Sequence, residues 1–376
     1  MKIGFYAPLK SPDHPIPSGD RLMARLLLRA LRMAGHDVSV ASDLRSFHAT
    51  PETVLPDLAE AAQEEIERLA GLYQRQGKPD LWFCYHPYYK APDLIGPPLC
   101  HRFAIPYVTA EASYSQRRNL GVWAGFQDML LDTIRTAAVN LCLTARDMQG
   151  LQAVAPQARL ARLTPFIDAQ AFLVRPRQPE QHLLATVAMM RPGDKISSYG
   201  ALAKALALLP DLAWRLKVVG DGPCGAEVRA LFSGFPPDRV EFLGEQPPQV
   251  VAEILSTASV YVWPGHGEAY GLAYLEAQAA GLPVVAVAEA VAGVPEVVAP
   301  GVTGFLTPPG DASAYAQAIA TLLTDASQRQ TMAQAARKMV EQDRSIEAAS
   351  ARLSTVLEQC LGDNAKLESE GGNHNV

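Results

Sequence analysis

Cysteine is scarce, and what there is does not pair. The chain of 376 residues holds five, Cys84, Cys100, Cys142, Cys224 and Cys360, an odd number without metal-ligand spacing and mostly set in apolar runs such as VNLCLT. A small disulfide- or metal-stapled module is excluded, and a reduced, intracellular protein is expected. No window offers the ~18 uninterrupted apolar residues of a membrane span, and the opening MKIGFYAPLKSPDHP breaks into proline and charge before a signal-peptide core forms. The expected location is the cytoplasm, with peripheral contact at the inner membrane face left open. GxxxxGK followed by Ser or Thr does not occur, which weakens the P-loop reading. No DxD-like acidic pair stands beside a strand, so no metal is required.

Positive charge is not in excess either. Lys plus Arg number 33 against 39 Asp plus Glu, a net charge of -6, and a bulk nucleic-acid binder is not expected. Residues 1 to 175 hold 19 basic against 17 acidic side chains, and the remainder 14 against 22, so the two halves differ in character.

What is there is an alternation. The runs KIGFYA, HDVSVAS, DLWFCYH, IPYVTAE and AVNLCLT read as buried strands, with helical spacing between them in RLMARLLLRALRMAG, PDLAEAAQEEIERLAGLYQRQ and residues 122 to 135. Near residues 173 to 182 the segment LVRPRQPEQH loses all apolar period, and then the alternation restarts with HLLATVAMM, LAWRLKVVG, VEFLG, SVYVWP and PVVAVAE. Strands alternating with helices imply βαβ units and parallel sheets, hence an α/β chain of two doubly wound domains, 1–175 and 176–345. Ala-rich helices follow, and 362–376 reads as a polar, disordered tail.

The most specific stretch is Gly265-His266-Gly267-Glu268-Ala269-Tyr270-Gly271-Leu272-Ala273-Tyr274-Leu275-Glu276, directly after SVYVWP. Glu268 ends a loop at the carboxyl edge of a sheet, where such sheets bind ligands. Gly271 begins a helix whose first amides, near Gly271 and Leu272, suit a phosphate or diphosphate. Glu276 lies inside that helix among leucines and alanines; a carboxylate so placed needs a partner, and a ribose diol would satisfy it. A hydrolase pair fits less well, since eight helical residues span ~12 Å against ~5 to 9.5 Å between glycosidase carboxyls. Arg191 and Lys195, in the MMRPGDK turn after HLLATVAMM, would enter the same edge and neutralise a leaving diphosphate. Gly19 opens the first helix; either it is an anion site, or Ser18 or Asp20 simply caps that helix. The stripe Arg21, Arg25, Arg29 and Arg32 is either a solvated face or a surface for anionic lipid.

Together the E-x7-E array Glu268 to Glu276, MMRPGDK, VVGDGP, FLGE, VPEVV, GVTGFL and LTPFIDAQAF resemble a family 4 retaining glycosyltransferase over nearly the whole chain. The resemblance implies the GT-B fold, two Rossmann-like domains facing across a cleft. The C-terminal domain would hold the nucleotide sugar and the N-terminal one a carbohydrate or glycolipid acceptor, with residues 346–361 a helix returning to the N-terminal domain. It implies that Glu268 contacts the donor sugar, that Glu276 takes the ribose hydroxyls, and that Arg191 and Lys195 bind the diphosphate. Tyr270, Gly271, Leu272 and Gly19 would complete the donor site, with Gly222 and Leu243 near the base. On the acceptor or sugar side stand His86, Glu111, Tyr114 and Arg117, with Tyr88, Tyr89 and Arg118 in the same loops.

Three departures are visible. Ser18 precedes Gly19 where the family often has a second glycine, the Arg191–Lys195 spacing is one residue shorter than usual, and Glu111 replaces a histidine. The chemistry implied is retention by front-face attack, with a donor phosphate oxygen taking the acceptor proton, no cofactor beyond the UDP-, GDP- or other nucleotide-sugar donor, and no nucleic-acid partner. A nucleotide-sugar epimerase of the same fold and a non-catalytic glycan-binding protein are the alternatives.

Overall fold

The computed structural model describes residues 1–16, 18–52, 56–289 and 293–371, the side chains of 56 and 363–371 excepted. The chain divides into two compact units. Unit 1 comprises Met1–Thr164 and the chain from Glu347 onward, and unit 2 comprises Pro165–Ile346.

Unit 1 is built on strands β1 (Lys2–Tyr6), β2 (Asp37–Ser42), β3 (Leu81–Tyr85), β4 (Tyr107–Ala110), β5 (Val139–Cys142) and β6 (Leu160–Arg162), with helices α1 (Gly19–Met33), α2 (Pro56–Gln76), α3 (Gly96–Phe103), α4 (Val122–Thr136) and α5 (Ala145–Val154). The six strands are parallel in the order β2-β1-β3-β4-β5-β6. Every residue of β3, β4 and β5 is buried, as expected of strands covered on both faces. Helix α1 starts where the Ser18 hydroxyl accepts the Arg21 N–H at 3.2 Å. It buries Met23, Leu27 and Leu31 and stops at Gly35, whose φ of 83° no β-carbon opposes.

The arginine stripe of α1 is engaged with backbone. Arg21 and Arg25 donate to the carbonyls of His14 and Pro12 at 2.7 and 2.6 Å, and Arg32 to that of Val38 at 2.9 Å.

Unit 2 follows with α6 (Gln170–Leu173), β7 (Leu183–Val187), α7 (Asp194–Ala207), β8 (Arg215–Val219), α8 (Gly225–Leu231), β9 (Val240–Gly244), α9 (Pro248–Thr257), β10 (Val260–Val262), α10 (Leu272–Ala279), β11 (Val284–Val287), β12 (Gly304–Thr307), α11 (Ala312–Thr324) and α12 (Ala326–Met339). Its parallel sheet has the order β12-β11-β10-β7-β8-β9. Each sheet thus gains one outer strand, β6 and β12, that periodicity did not reveal. Both are outer strands and partly exposed, which weakens the apolar signature.

The units divide at Thr164/Pro165, ahead of residue 175. The segment expected as a linker is fastened to unit 2: the N–H groups of Gln178 and Glu180 donate to the carbonyls of Ser256 and Thr257 at 3.1 and 2.8 Å. After a π-helical turn at Val340–Arg344 the chain enters α13 (Ile346–Gly371), which continues through much of the stretch expected as a tail; residues 372–376 lie outside the described residues.

One buried carboxylate organises the core of unit 1. Asp93 Oδ2 accepts from Trp82 Nε1 and the Tyr107 hydroxyl, both at 2.9 Å, and Oδ1 from the N–H groups of Ile95 and Gly96 at 3.0 and 2.7 Å. Trp82 and Tyr107 belong to one apolar cluster with Tyr6, Leu99 and Ile105, so Asp93 ties β3 and β4 to the start of α3. Burial pushes its carboxyl up despite these four donors. Asp93→Ala strands those donors in the core and is expected to lower unfolding stability by ~3 kcal/mol, read from denaturant unfolding; a change near zero removes Asp93 from this role.

Candidate functional site

In unit 2 the strand order reverses between β7 and β10: strands step outward to β9 on one side and to β12 on the other. Connections at such a point leave toward opposite faces, so a crevice opens beyond the carboxyl ends of the two strands. The loop after β7, residues 188–193, and the loop after β10, residues 263–271, both open there.

Close backbone approach fixes the second loop. Gly293 N–H donates to the Glu268 carbonyl at 3.0 Å, and a β-carbon at Gly293 would stand 1.7 Å from the Ala269 carbonyl oxygen. Gly271 caps α10 with φ 73°, a conformation that glycine adopts without strain. So held, the Glu268 carboxylate accepts Lys195 Nζ, from the first turn of α7, and Trp263 Nε1 at 3.0 Å. Lys195 Nζ also lies 5.5 Å over the Trp263 ring. The neighbouring His266 N–H donates to the Ser198 hydroxyl at 3.0 Å, while its ring meets the Glu289 carboxylate. Burial would raise the Glu289 carboxyl, but the His266 ring and the Gly267 N–H outweigh it and hold it below the ordinary value.

Glu276 is different. It sits on α10 among buried Tyr274, Leu275, Ala277 and Gln278. Desolvation alone pushes its carboxyl up to about 7, and among the described residues no group hydrogen-bonds it. The N–H groups of Leu272 and Ala273 likewise have no protein acceptor among the described residues. A half-buried carboxylate and the open amino end of a helix therefore share one element, suited respectively to hydroxyl donors and to an anion.

Unit 1 has a cluster of its own, at the point where its strand order reverses between β1 and β3. His86 follows β3 and Glu111 follows β4, both with left-handed backbone, φ 58° and 59°, strained for residues with a β-carbon. His86 Nδ1 is 3.3 Å from Asp20 Oδ1 at the start of α1. Burial alone would depress His86, yet the carboxylates of Glu111, Asp20 and Asp147 outweigh it and hold the imidazole above its ordinary value. Glu111 is raised, by burial first and by Asp147 beside it. Tyr88 stacks on His86 with centroids 5.0 Å apart, and Tyr89 packs edge-on against Tyr88 and Trp123 at 5.3 and 4.9 Å.

The family model described as glycosyl transferases group 1 matches residues 181–325. An exopolysaccharide phosphotransferase of Streptomyces coelicolor is 35% identical over 196 residues, 51% of this chain and 20% of that one. A D-inositol 3-phosphate glycosyltransferase of Nocardia farcinica is 27% identical over 305 residues, 73% of this chain and 64% of that one. The chain thus spans less than two thirds of the length of these curated relatives. The crystal structure of Anabaena HepE in complex with UDP superposes with a TM-score of 0.69 at 18% identity, covering 96% of this chain and 100% of that one. The chain has the GT-B fold.

Within unit 2, Glu268 and Lys195 meet directly, and Tyr270, Gly271, Leu272 and Glu276 lie on the same loop and helix. Arg191 lies in the loop after β7. Gly222 follows β8, where a β-carbon would stand 2.4 Å from the Met190 carbonyl oxygen. Leu243 ends β9, the outermost strand on that side. Of the residues expected outside it, Gly19 begins α1 and Ser18 provides the cap. His86 and Glu111 come together, whereas Tyr114 is half-buried, within 3.4 Å of the Asn119 amide, and Arg117 is exposed on a 3-10 turn. Motif reading missed Trp263, Asp20 and Asp147 as partners; Trp263 alone had a local signal, an aromatic donor directly before the Glu268 loop.

A histidine raised above its ordinary value stabilises the fold below its unfolded value of ~6.5, and that contribution is lost as pH rises through the raised one. His86→Gln should therefore cost stability in mildly acidic buffer and little at alkaline pH. NMR titration of the wild type should place His86 above 6.5, with Glu111→Gln lowering it; a Glu111→Gln titration identical to wild type would disprove the coupling.

Proposed function

We propose that the protein is a retaining glycosyltransferase that takes its sugar from a nucleoside diphosphate sugar bound at the carboxyl edge of unit 2. The observation that carries this reading is Glu276, a desolvated carboxylate without a hydrogen-bond donor among the described residues, on the helix whose amino end lies at the β7/β10 switch point. The pair of 2′ and 3′ ribose hydroxyls supplies the two donors that it lacks, and the Leu272 and Ala273 amides take the diphosphate. Arg191 and Lys195 add positive charge where the leaving group develops negative charge. Glu268, locked to Lys195 and Trp263, faces the sugar hydroxyls. HepE, of the same fold, binds UDP, which supports a uridine nucleotide as the first donor to try.

In the step itself the bond from the anomeric carbon to the diphosphate oxygen breaks, and the electron pair leaves with the diphosphate. The acceptor oxygen bonds to the same face of that carbon and gives its proton to a phosphate oxygen. Because the leaving group is already good, the protein need only stabilise charge and position the reactants. We assign acceptor recognition to unit 1, where Tyr88 and Tyr89 offer ring faces and Glu111 and Asp20 offer hydroxyl acceptors.

Calorimetric titration with UDP, GDP and ADP tests the reading. One nucleotide should bind, and Glu276→Ala should weaken it by ~1.5 to 3 kcal/mol; unchanged affinity in that variant ends the ribose role. The sign of the pH effect follows from the value near 7. An acid raised in the folded state holds its proton there more tightly than in the unfolded chain, so Glu276 lowers stability as pH rises toward 7, a slope that Glu276→Gln removes. Ribose hydroxyls prefer the carboxylate, so nucleotide affinity should rise with pH toward the same value and then level, with proton release on binding.

Glu268→Ala should reduce kcat by ~100-fold with little change in nucleotide affinity. Turnover equal to wild type removes Glu268 from the site. Isomerisation of the nucleotide sugar without acceptor would replace transfer by epimerisation.

A further inference from the structure

We propose that unit 2 carries a second site, for a small phosphate-bearing molecule, at the amino edge of its sheet, where Arg177, Arg329 and Arg337 surround a cavity of about 520 Å³. Its floor is the edge opposite the Glu268 loop: Gln181 leads into β7, Ser259 precedes β10, and Gly281 lies in the turn between α10 and β11. Its wall is α12, which places Arg329, Ala333 and Arg337 four residues apart on one face. Alanine at the middle position leaves the space between the two guanidiniums open. Gly281 does the same for the third, since a β-carbon there would stand 2.8 Å from Arg177 Cδ.

The charge is uncompensated by side chains. Among the described residues no acidic side chain lines the cavity, and the partners described for the three guanidiniums are backbone carbonyls. Arg177 donates to Ala258 at 3.0 Å and to Gly281, Arg329 to Leu322 and Leu323 at 2.7 and 3.1 Å, and Arg337 to Ala279 at 3.4 Å and to Leu173. These bonds fix each guanidinium in place and use only part of its five N–H donors. Arg177 Nε is buried without an acceptor among the described residues. Burial, then the nearby positive charges of Arg329 and Arg337, bring Arg177 down to about 10.

Capping of helix carboxyl ends accounts for single arginines at such carbonyls. It does not account for three of them converging on one cavity, where each makes the others less favourable. A bound anion does. Arginine forks fit phosphate oxygens two at a time, and three of them match a dianion or a pair of phosphates. The volume lies in the range of small-molecule sites, ~300 to 1,000 Å³, and exceeds what a bare phosphate fills. Gln181, Gln330 and Gln334 line the same space with neutral amides suited to hydroxyl groups, so the class is an organic phosphate rather than the inorganic ion. Nothing in this site depends on the nucleotide-sugar reading, since none of its lining residues lies at the carboxyl edge.

Titration calorimetry and thermal shift on the full chain, with inorganic phosphate, pyrophosphate and ribose 5-phosphate as probes, test it. Wild type should bind pyrophosphate and ribose 5-phosphate saturably. Gln334→Glu sets a carboxylate against the arginines without touching their backbone contacts; it should weaken both ligands by about tenfold or more and raise the melting temperature of the ligand-free protein. Arg329→Gln should weaken both ligands similarly. Absence of saturable binding in wild type, or affinities equal in wild type and both variants, overturns the site. Saturation by inorganic phosphate alone overturns the ligand class.

Discussion

No side chain fits between Gly293 and the Ala269 carbonyl, and the site of unit 2 depends on that closeness. The contact, with the hydrogen bond from Gly293 to the Glu268 carbonyl, pins the loop after β10 at its middle. Three consequences follow from one restraint. The Glu268 side chain reaches Lys195 and Trp263, Gly271 takes its left-handed turn, and the first amides of α10 are left without an acceptor among the described residues. A loop free to move would lose all three at once, because each needs the same backbone path.

Two carboxylates show how function separates from structure when both are desolvated. Asp93 and Glu276 are both raised by desolvation. Asp93 accepts four hydrogen bonds from unit 1, so its cost is offset within the fold and its place is explained by packing. Glu276 accepts none among the described residues, and the cost stands uncompensated in the free protein. Natural chains rarely keep such a group unless something outside the chain satisfies it. Unit 1 uses a third arrangement, in which Asp20, Glu111 and Asp147 crowd one histidine. There the acids and the base perturb one another, and the strained backbone of His86 and Glu111 keeps them at that spacing.

Much of this was legible before any coordinates. Strand-like runs marked ten of the twelve strands, most plainly β3, β4, β5 and β11, where every residue is buried and the chain reads as nearly continuous apolar sequence. The two missed strands are outer ones, β6 and β12, whose partial exposure dilutes that signature. Glu268, Glu276 and Lys195 were legible because local spacing fixes which edge a loop or helix end must occupy. Partners brought by the fold were not. Nothing near His86 names Asp20, and nothing near Trp82 names Asp93 as the acceptor of its indole. The arginine cavity was half legible at most: Arg329 and Arg337 share a helical face by spacing, but Arg177 lies in a stretch whose composition reads as linker, and only hydrogen bonds to the carbonyls at the carboxyl end of α9 show that it is fastened down.

Helix α10 joins these strands of reasoning. Eight residues at ~1.5 Å rise make it ~12 Å long, with the switch-point crevice at one end and the arginine cavity at the other. A helix is positive at its amino end and negative at its carboxyl end, and each end seeks the opposite charge. At the carboxyl end the chain provides it, through Arg337 on the Ala279 carbonyl and Arg177 on that of Gly281. At the amino end, among the described residues, no carboxylate hydrogen-bonds the first amides: Glu268 stands close, its Cδ 3.8 Å from where a Gly271 β-carbon would lie, but its carboxylate is held by Lys195 and Trp263, and Glu276 lies inside the helix, beyond its first turn. Equal treatment of the two ends would have stabilised the fold further. The amides left over face the end at which the sheet opens its crevice, a place where a helix favours an anion.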